Sequence, residues 1–241
     1  MYFLLIIYFA ALSLALAYGF ARKILKRTRT SLGLVDKNKY TYYGKGILLG
    51  LGLISLIVLV LRLGGFAEIT RNSSGFRLKL FLIFVPVWII QGFEEEFLLR
   101  SILMNQMAAG GKVTLAIIAN SLIFSIFHLG NTGFNLLGFI NIFLMGLIFS
   151  LIFYLKDSIY MVGAAHSFWN MAMANIYGIP VSGNSLEGLS FFTTRLKGPA
   201  LITGGDFGLE ASLVSTAVFL LFLLILFKLA KKTIENHRVN Y

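Results

Sequence analysis

Long apolar runs separated by short polar stretches dominate this chain. Seven of them have the length and continuity of helices, near residues 2–21, 46–66, 79–100, 113–129, 134–155, 158–177 and 211–230. About 20 apolar residues span the hydrocarbon core of a bilayer. The pattern therefore predicts an all-α fold, a polytopic membrane helix bundle with about seven transmembrane helices. No internal repeat, low-complexity block or Pro-rich linker divides it. The longest polar connection, Gly178 to Glu210, is Gly-rich and precedes the last run. The expectation is a single helical membrane domain over residues 1–241.

Composition agrees. Of the 241 residues, 58% are hydrophobic and 13% charged, against about a quarter charged in a soluble domain. Soluble enzymes, DNA-binding modules and disordered tails are excluded on that ground. The absence of cysteine excludes a disulfide scaffold, a Cys nucleophile, an iron–sulfur cluster and a thiolate zinc site. The net charge of +11 invites a nucleic-acid reading. Its location argues otherwise, because eight Lys or Arg fall between Arg22 and Lys45, in the loop joining the first two runs. The positive-inside rule makes this an orientation signal. It predicts a multi-pass cell-membrane protein with the first loop and C-terminus in the cytoplasm, the N-terminus outside, and no nucleic-acid partner. Small residues in SLALAYGFA resemble a signal-peptide cleavage site. The basic cluster, however, follows the first apolar run instead of preceding it, which favours a retained helix.

Ionisable groups inside apolar spans are costly and call for an explanation. Glu94, Glu95 and Glu96 stand in succession within WIIQGFEEEFLLRSILM. His128 and His166 lie in other apolar runs, whereas His237 lies in the polar tail. Glu96 and Arg100 are four residues apart, the spacing of a helical ion pair. Glu95 projects about 100° away from Glu96 and has no local ionic partner. His166 and Asn170 share one helical face at i,i+4. Each feature has a structural reading, since intramembrane His and Asn often serve as hydrogen-bonding glue between helices. Asn120 and Asn141 are further residues of that kind.

Depth makes a common site more attractive. Gly110–Gly111 marks a turn between antiparallel helices. Glu95 precedes it by 15 residues and His128 follows it by 17, about 22 and 26 Å at 1.5 Å per residue. The match requires the third helix to continue to about Met107. His166 fits less well, only about 12 Å from its helix start near Ser158. Tilt or a deeper helix start must supply the remainder.

These residues suit water activation beside a carbonyl. A carboxylate, here Glu95, acts as general base with His128 sharing the proton. His166 and Asn170 are placed to donate hydrogen bonds to the oxyanion of a tetrahedral intermediate. Competing chemistries match less of the chain. A zinc site lacks HExxH and has no His pair at helical spacing. Serine hydrolysis lacks GxSxG. An aspartyl mechanism lacks paired membrane Asp, since Asp157 and Asp206 fall at span edges or in loops. A proton-coupled transporter remains open but would be supported by inverted repeats, and none is evident.

Three short motifs occur in order on hydrophobic helices. Glu95-Glu96-Phe-Leu-Leu-Arg100 matches EExxxR, Phe124-Ser-Ile-Phe-His128 matches FxxxH, and His166-Ser-Phe-Trp-Asn170 matches HxxxN. Together they resemble the CAAX protease and bacteriocin-processing (CPBP, or Abi) family of intramembrane peptidases, over residues 80–177 as a catalytic core. The resemblance implies Glu95 as base with His128, His166 and Asn170 as oxyanion hole, and Glu96 and Arg100 in support. Older naming treats the family as metallo-enzymes, whereas the glutamate-base picture implies neither metal nor other cofactor. Implied partners are a peptide or membrane-protein substrate, such as a bacteriocin leader or lipoprotein-type precursor, and the lipid bilayer. The alternative is a non-enzymatic membrane scaffold or bacteriocin-immunity protein of the same fold. Oligomeric state is open, with Gly46-xxx-Gly50 as one helix-contact pattern.

Overall fold

The computed structural model describes residues 2–72, 78–185 and 189–239, without the side chains of 2–7, 80 and 232–239. His237 of the polar tail lies outside the described side chains. Helices occupy each of the apolar runs: α1 (Tyr2–Lys23), α2 (Lys39–Leu63), α3 (Leu78–Glu96), α4 (Val113–Ile126), α5 (Leu136–Lys156), α6 (Ile159–Met171) and α7 (Leu213–Val239). Among the described residues, three are long and apolar enough to cross a membrane: Lys39–Leu63, Leu136–Lys156 and Leu213–Lys231.

Local chemistry fixes several boundaries. Asn135 caps α5, its side-chain oxygen accepting from Gly138 N at 2.9 Å. Asp157 ends α5 in the left-handed region at φ 47°. The third helix runs on past Arg100 as the sequence requires, through a π-helical segment Phe97–Met104 and a final turn Asn105–Ala108. α6 also widens into a π-helical segment, Ala172–Ile176, directly after its motif. Such insertions recur at functional sites because they redirect side chains within a continuous helix.

One element departs from the all-helical expectation. Strands β1 (Ala67–Arg71) and β2 (Phe192–Leu196) pair antiparallel, with Ala67 opposite Leu196 and Arg71 opposite Phe192. AEITR and FTTRL are too short to stand out beside the apolar runs, and they pair across more than 120 residues of sequence. Lys197 hydrogen-bonds Glu68 at 2.5 Å and holds that carboxyl below its ordinary range. This support for the strand pair is present at neutral pH and fades as pH falls through the lowered value.

α6 is held at the centre by close backbone approach. A Cβ on Gly50 of α2 would stand 2.8 Å from Trp169 N, and one on Gly46 would stand 2.8 Å from Ala164 Cβ. On the α3 side, a Cβ on Gly92 would meet Ser167 N at 2.7 Å. The Gly46-xxx-Gly50 pattern is thus spent inside the chain, packing α2 on α6. The predicted glue is also present. Asn120 of α4 donates to Ser150 Oγ of α5 at 3.0 Å, and Asn141 of α5 donates to Ser212 O, before α7, at 2.8 Å.

The depth of His166 has a plain origin. Ser158 and Ile159 are buried, with Leu32 fully buried in the same core. Ile159 N donates to Gly33 O at 3.1 Å. The first loop therefore folds beneath α6, which begins below the surface of the bundle. A deeper helix start, not tilt alone, supplies the missing turns.

An ionic network closes the centre. Arg100 Nη1 donates to Glu96 Oε1 at 2.9 Å, with both side chains fully buried. Arg100 Nη2 donates to Gly146 O of α5 at 3.2 Å, and the guanidinium lies 4.7 Å from the centre of the Phe124 ring of α4. His166 Nδ1 donates to Glu96 Oε1 at 2.9 Å, adding α6.

Two predictions follow from this packing. Gly50→Val forces α2 off α6 and is expected to cost about 1–3 kcal/mol. Gly52→Ala, with nothing within 4 Å of the added carbon, is expected to be neutral or to stabilise by up to about 1 kcal/mol. Unfolding in detergent micelles compares the two. Arg100→Met strands the Glu96 charge and is expected to cost about 3–5 kcal/mol, much of it recovered when Glu96→Gln is added. Additive losses in that double variant would contradict the pairing.

Candidate active site

The three successive glutamates point three ways and find different partners. Glu94 Oε1 accepts from Ser13 Oγ of α1 at 2.6 Å. Glu96 takes Arg100 and His166. Glu95 Oε1 accepts from Gln91 Nε2, one helical turn earlier. Glu95 therefore has a local partner after all, a neutral amide overlooked by a search for opposite charges. Among the described residues its other oxygen, Oε2, accepts no hydrogen bond and lies 3.9 Å from His166 Nε2. Its side chain remains 27% exposed, whereas Glu96 is fully buried.

Both histidine tautomers follow from their partners. His128 Nδ1 lies 2.8 Å from Phe124 O, and a carbonyl only accepts, so Nδ1 carries the proton. In the neutral ring Nε2 is then an acceptor. His166 Nδ1 likewise donates to Glu96. Its ring is stacked on Phe149 with centroids 5.5 Å apart and meets Phe124 edge-on at 5.9 Å. Asn170, four residues on, donates through Nδ2 to Gln91 Oε1 at 3.0 Å. Gln91 thus joins Glu95 to Asn170.

Glu95, His128, His166 and Asn170 line one cavity of about 500 Å³, together with Gln91. The four residues singled out in the sequence are therefore brought together. Glu96 and Arg100 stay behind them, outside that lining. A smaller groove between α3 and α4, of about 300 Å³, shares Glu95 and His128 and is flanked by Leu98 and Phe127.

The cavity has a roof that no motif announces. Within the connection between α6 and α7, Val181 and Asn184 form a bridge. The two residues between them, Ser182 and Gly183, have φ of 45° and 81°, the signature of a type I′ turn. Gly183 is required there twice over, because an added Cβ would also meet Thr132 C at 2.9 Å. Glu210 clasps this turn, Oε2 accepting from Ser182 N at 2.6 Å and Ser182 Oγ at 2.8 Å. Its Oε1 accepts from Trp169 Nε1 of α6 at 3.2 Å. The same connection carries a helical turn, Ala200–Thr203, and 3-10 turns at Gly205–Phe207 and Leu209–Ala211. Its residues 186–188 lie outside the described part.

Sequence reasoning missed Gln91 and the Glu210 clasp. The first left a signal, a membrane amide one turn before Glu95. The second left none, since it arises from long-range folding of a polar loop.

No group of three or more His, Asp or Glu arranged to hold a metal ion occurs among the described residues. His128 and His166 each have Nδ1 committed to a partner within the bundle.

No curated protein and no solved structure matches the chain. A protein-family model does. The model described as type II CAAX prenyl endopeptidase Rce1-like matches residues 77–172, which include all three motifs. That is a family of membrane proteases, and with the long apolar helices it makes the chain a multi-pass membrane protein. The match over residues 77–172 supports the resemblance of this chain to the CAAX protease and bacteriocin-processing family.

Proposed function

We propose that this chain is an intramembrane endopeptidase of the glutamate type, hydrolysing peptide or membrane-protein substrates. The observation that carries the reading is the pair of hydrogen-bond acceptors on one cavity, Glu95 Oε2 and neutral His128 Nε2, beside the amide of Asn170. Two acceptors hold the two hydrogens of a water and leave its lone pair for the carbonyl carbon. As the C–O bond forms, the water proton passes to this pair. The carbonyl oxygen becomes an oxyanion that accepts a hydrogen bond from Asn170 Nδ2. His166 Nε2 adds a second when the ring is an imidazolium, because Nδ1–H is already given to Glu96. Collapse of the intermediate breaks the C–N bond, and the proton held by Glu95 and His128 goes to the leaving amine. No covalent enzyme intermediate forms. Residues 80–177 form the catalytic core of a single domain, 1–241. Glu96 and Arg100 support it by fixing His166.

The competing reading is a membrane scaffold or immunity protein. It draws on the His166–Glu96 bond, which ties α6 to α3 whether or not chemistry follows. Peptide cleavage in purified membranes decides between them. Glu95→Gln and His128→Ala are each expected to lower the rate by about 10²–10⁴. Asn170→Ala is expected to lower it by about 10²–10³. Cleavage that survives all three substitutions would sink the peptidase reading.

The same proposal has seven helices crossing the membrane, with the N-terminus outside and the C-terminus in the cytoplasm. A chain without cysteine makes this easy to test by single-Cys labelling. Lys37→Cys, in the first loop, is expected to resist a membrane-impermeant maleimide in intact cells, and Glu68→Cys on β1 to react. The reverse pattern would invert the topology.

A further inference from the structure

Gln91 hydrogen-bonds to both halves of the proposed chemistry, Glu95 and Asn170. Its two amide ends are used in opposite senses. Oε1 accepts from Asn170 Nδ2 at 3.0 Å, and Nε2 donates to Glu95 Oε1. A primary amide accepts at one end and donates at the other, so a single residue sets a carboxylate and a second amide at once. The backbone is arranged for this reach. One residue along α3, Gly92 lets that helix come so close to Ser167 that a Cβ would be 2.7 Å from its nitrogen. The side chains of Gln91 and Asn170 then meet across the same helix pair.

We propose that Gln91 is a positioning residue that couples the general base to the oxyanion site, an inference that rests on the peptidase reading. A glutamate side chain has three rotatable bonds and two equivalent oxygens. The bond from Gln91 occupies Oε1 and so leaves Oε2 as the oxygen that faces water. At Asn170 the logic is complementary. Its amide has two N–H groups, and Gln91 takes one, fixing the plane of the amide and leaving the other for the oxyanion. Gln91 itself transfers no proton and touches no reacting atom. Its contribution is that the base and the donor are held in one arrangement before substrate arrives, with no reorganisation during reaction.

Two substitutions separate the two ends. Gln91→Met keeps length and volume and removes both bonds. Gln91→Glu keeps the acceptor for Asn170 but sets a carboxylate against Glu95. Both are expected to lower kcat by about 10–100-fold with KM within about twofold, as small misplacements of reacting groups do. On an Asn170→Ala background, Gln91→Met is expected to cost less than it does alone, because one of the two bonds it removes is already gone and only the bond to Glu95 remains to be lost. A side chain that merely fills space would give independent, multiplicative losses, and that result overturns the inference. Wild-type kcat in both variants, or a change confined to KM, also overturns it.

A readout independent of turnover keeps the two readings apart. The infrared carboxylate stretch of Glu95, isolated as the difference between wild-type and Glu95→Gln membranes, is expected to shift when Gln91 becomes Met. An unshifted band would overturn the proposed bond even in an active enzyme. A shifted band in membranes that cleave no peptide would retain the bond and dismiss the peptidase reading together with the catalytic role of Gln91. Unfolding temperatures of both variants, compared with wild type, ensure that the rates refer to folded protein.

Discussion

A charge placed in the middle of an apolar bundle cannot be left to itself, and the whole centre of this molecule is organised around that constraint. Arg100 and Glu96 are both fully buried. Neither has water to fall back on, so the surrounding helices must supply what solvent would. Gly146 O of α5, the Phe124 ring of α4 and His166 of α6 all converge on the pair. Engaging the two terminal nitrogens and the face of one guanidinium thereby fixes the relative placement of four helices. The cost of breaking it is the reason the arrangement is specific. His166 is the point at which this inner network meets the cavity, since one ring nitrogen faces Glu96 and the other faces Glu95.

Glycine does the complementary work. Electrostatics selects which side chains meet, but α6 reaches the network only because α2 and α3 present almost no bulk to it at Gly46, Gly50 and Gly92. Interhelical packing in an apolar medium depends on such close approach, since burial of greasy surface drives little when the surroundings are equally greasy. The buried ion pair and the small-residue contacts therefore depend on each other. Widening either helix interface would pull His166 from Glu96, leaving His166 Nδ1 without its acceptor and Glu96 with Arg100 alone.

Much of this was legible in the amino-acid sequence because membrane helices announce themselves by length and apolarity. The Glu96–Arg100 pair follows from spacing on a single helix, and the common depth of Glu95 and His128 follows from counting residues to a turn. The sequence is blind where geometry is set by distant segments. Nothing local says that Gly33 folds beneath Ile159 and so sinks the start of α6. Nothing in AEITR says that its partner lies in FTTRL. Gln91 stands between these cases. It was visible as a polar residue in a span, yet its significance depends on Asn170 lying opposite, which only the packing of α3 on α6 reveals.

The cavity wall is drawn from two separate stretches of the chain. Residues 77–172, which match the family, contain Glu95, His128, His166 and Asn170. The roof comes later, from Val181 to Ser185 and from Glu210. These later residues hold one another through the Glu210 clasp, and they meet the matched stretch through the indole N–H of Trp169, the close approach of Gly183 to Thr132, and Phe207 and Ala211 packed with Leu99, Phe124 and Ile142. Substitutions at Ser182, Asn184 or Ser185 would therefore alter what the chamber admits without touching the residues proposed to cut.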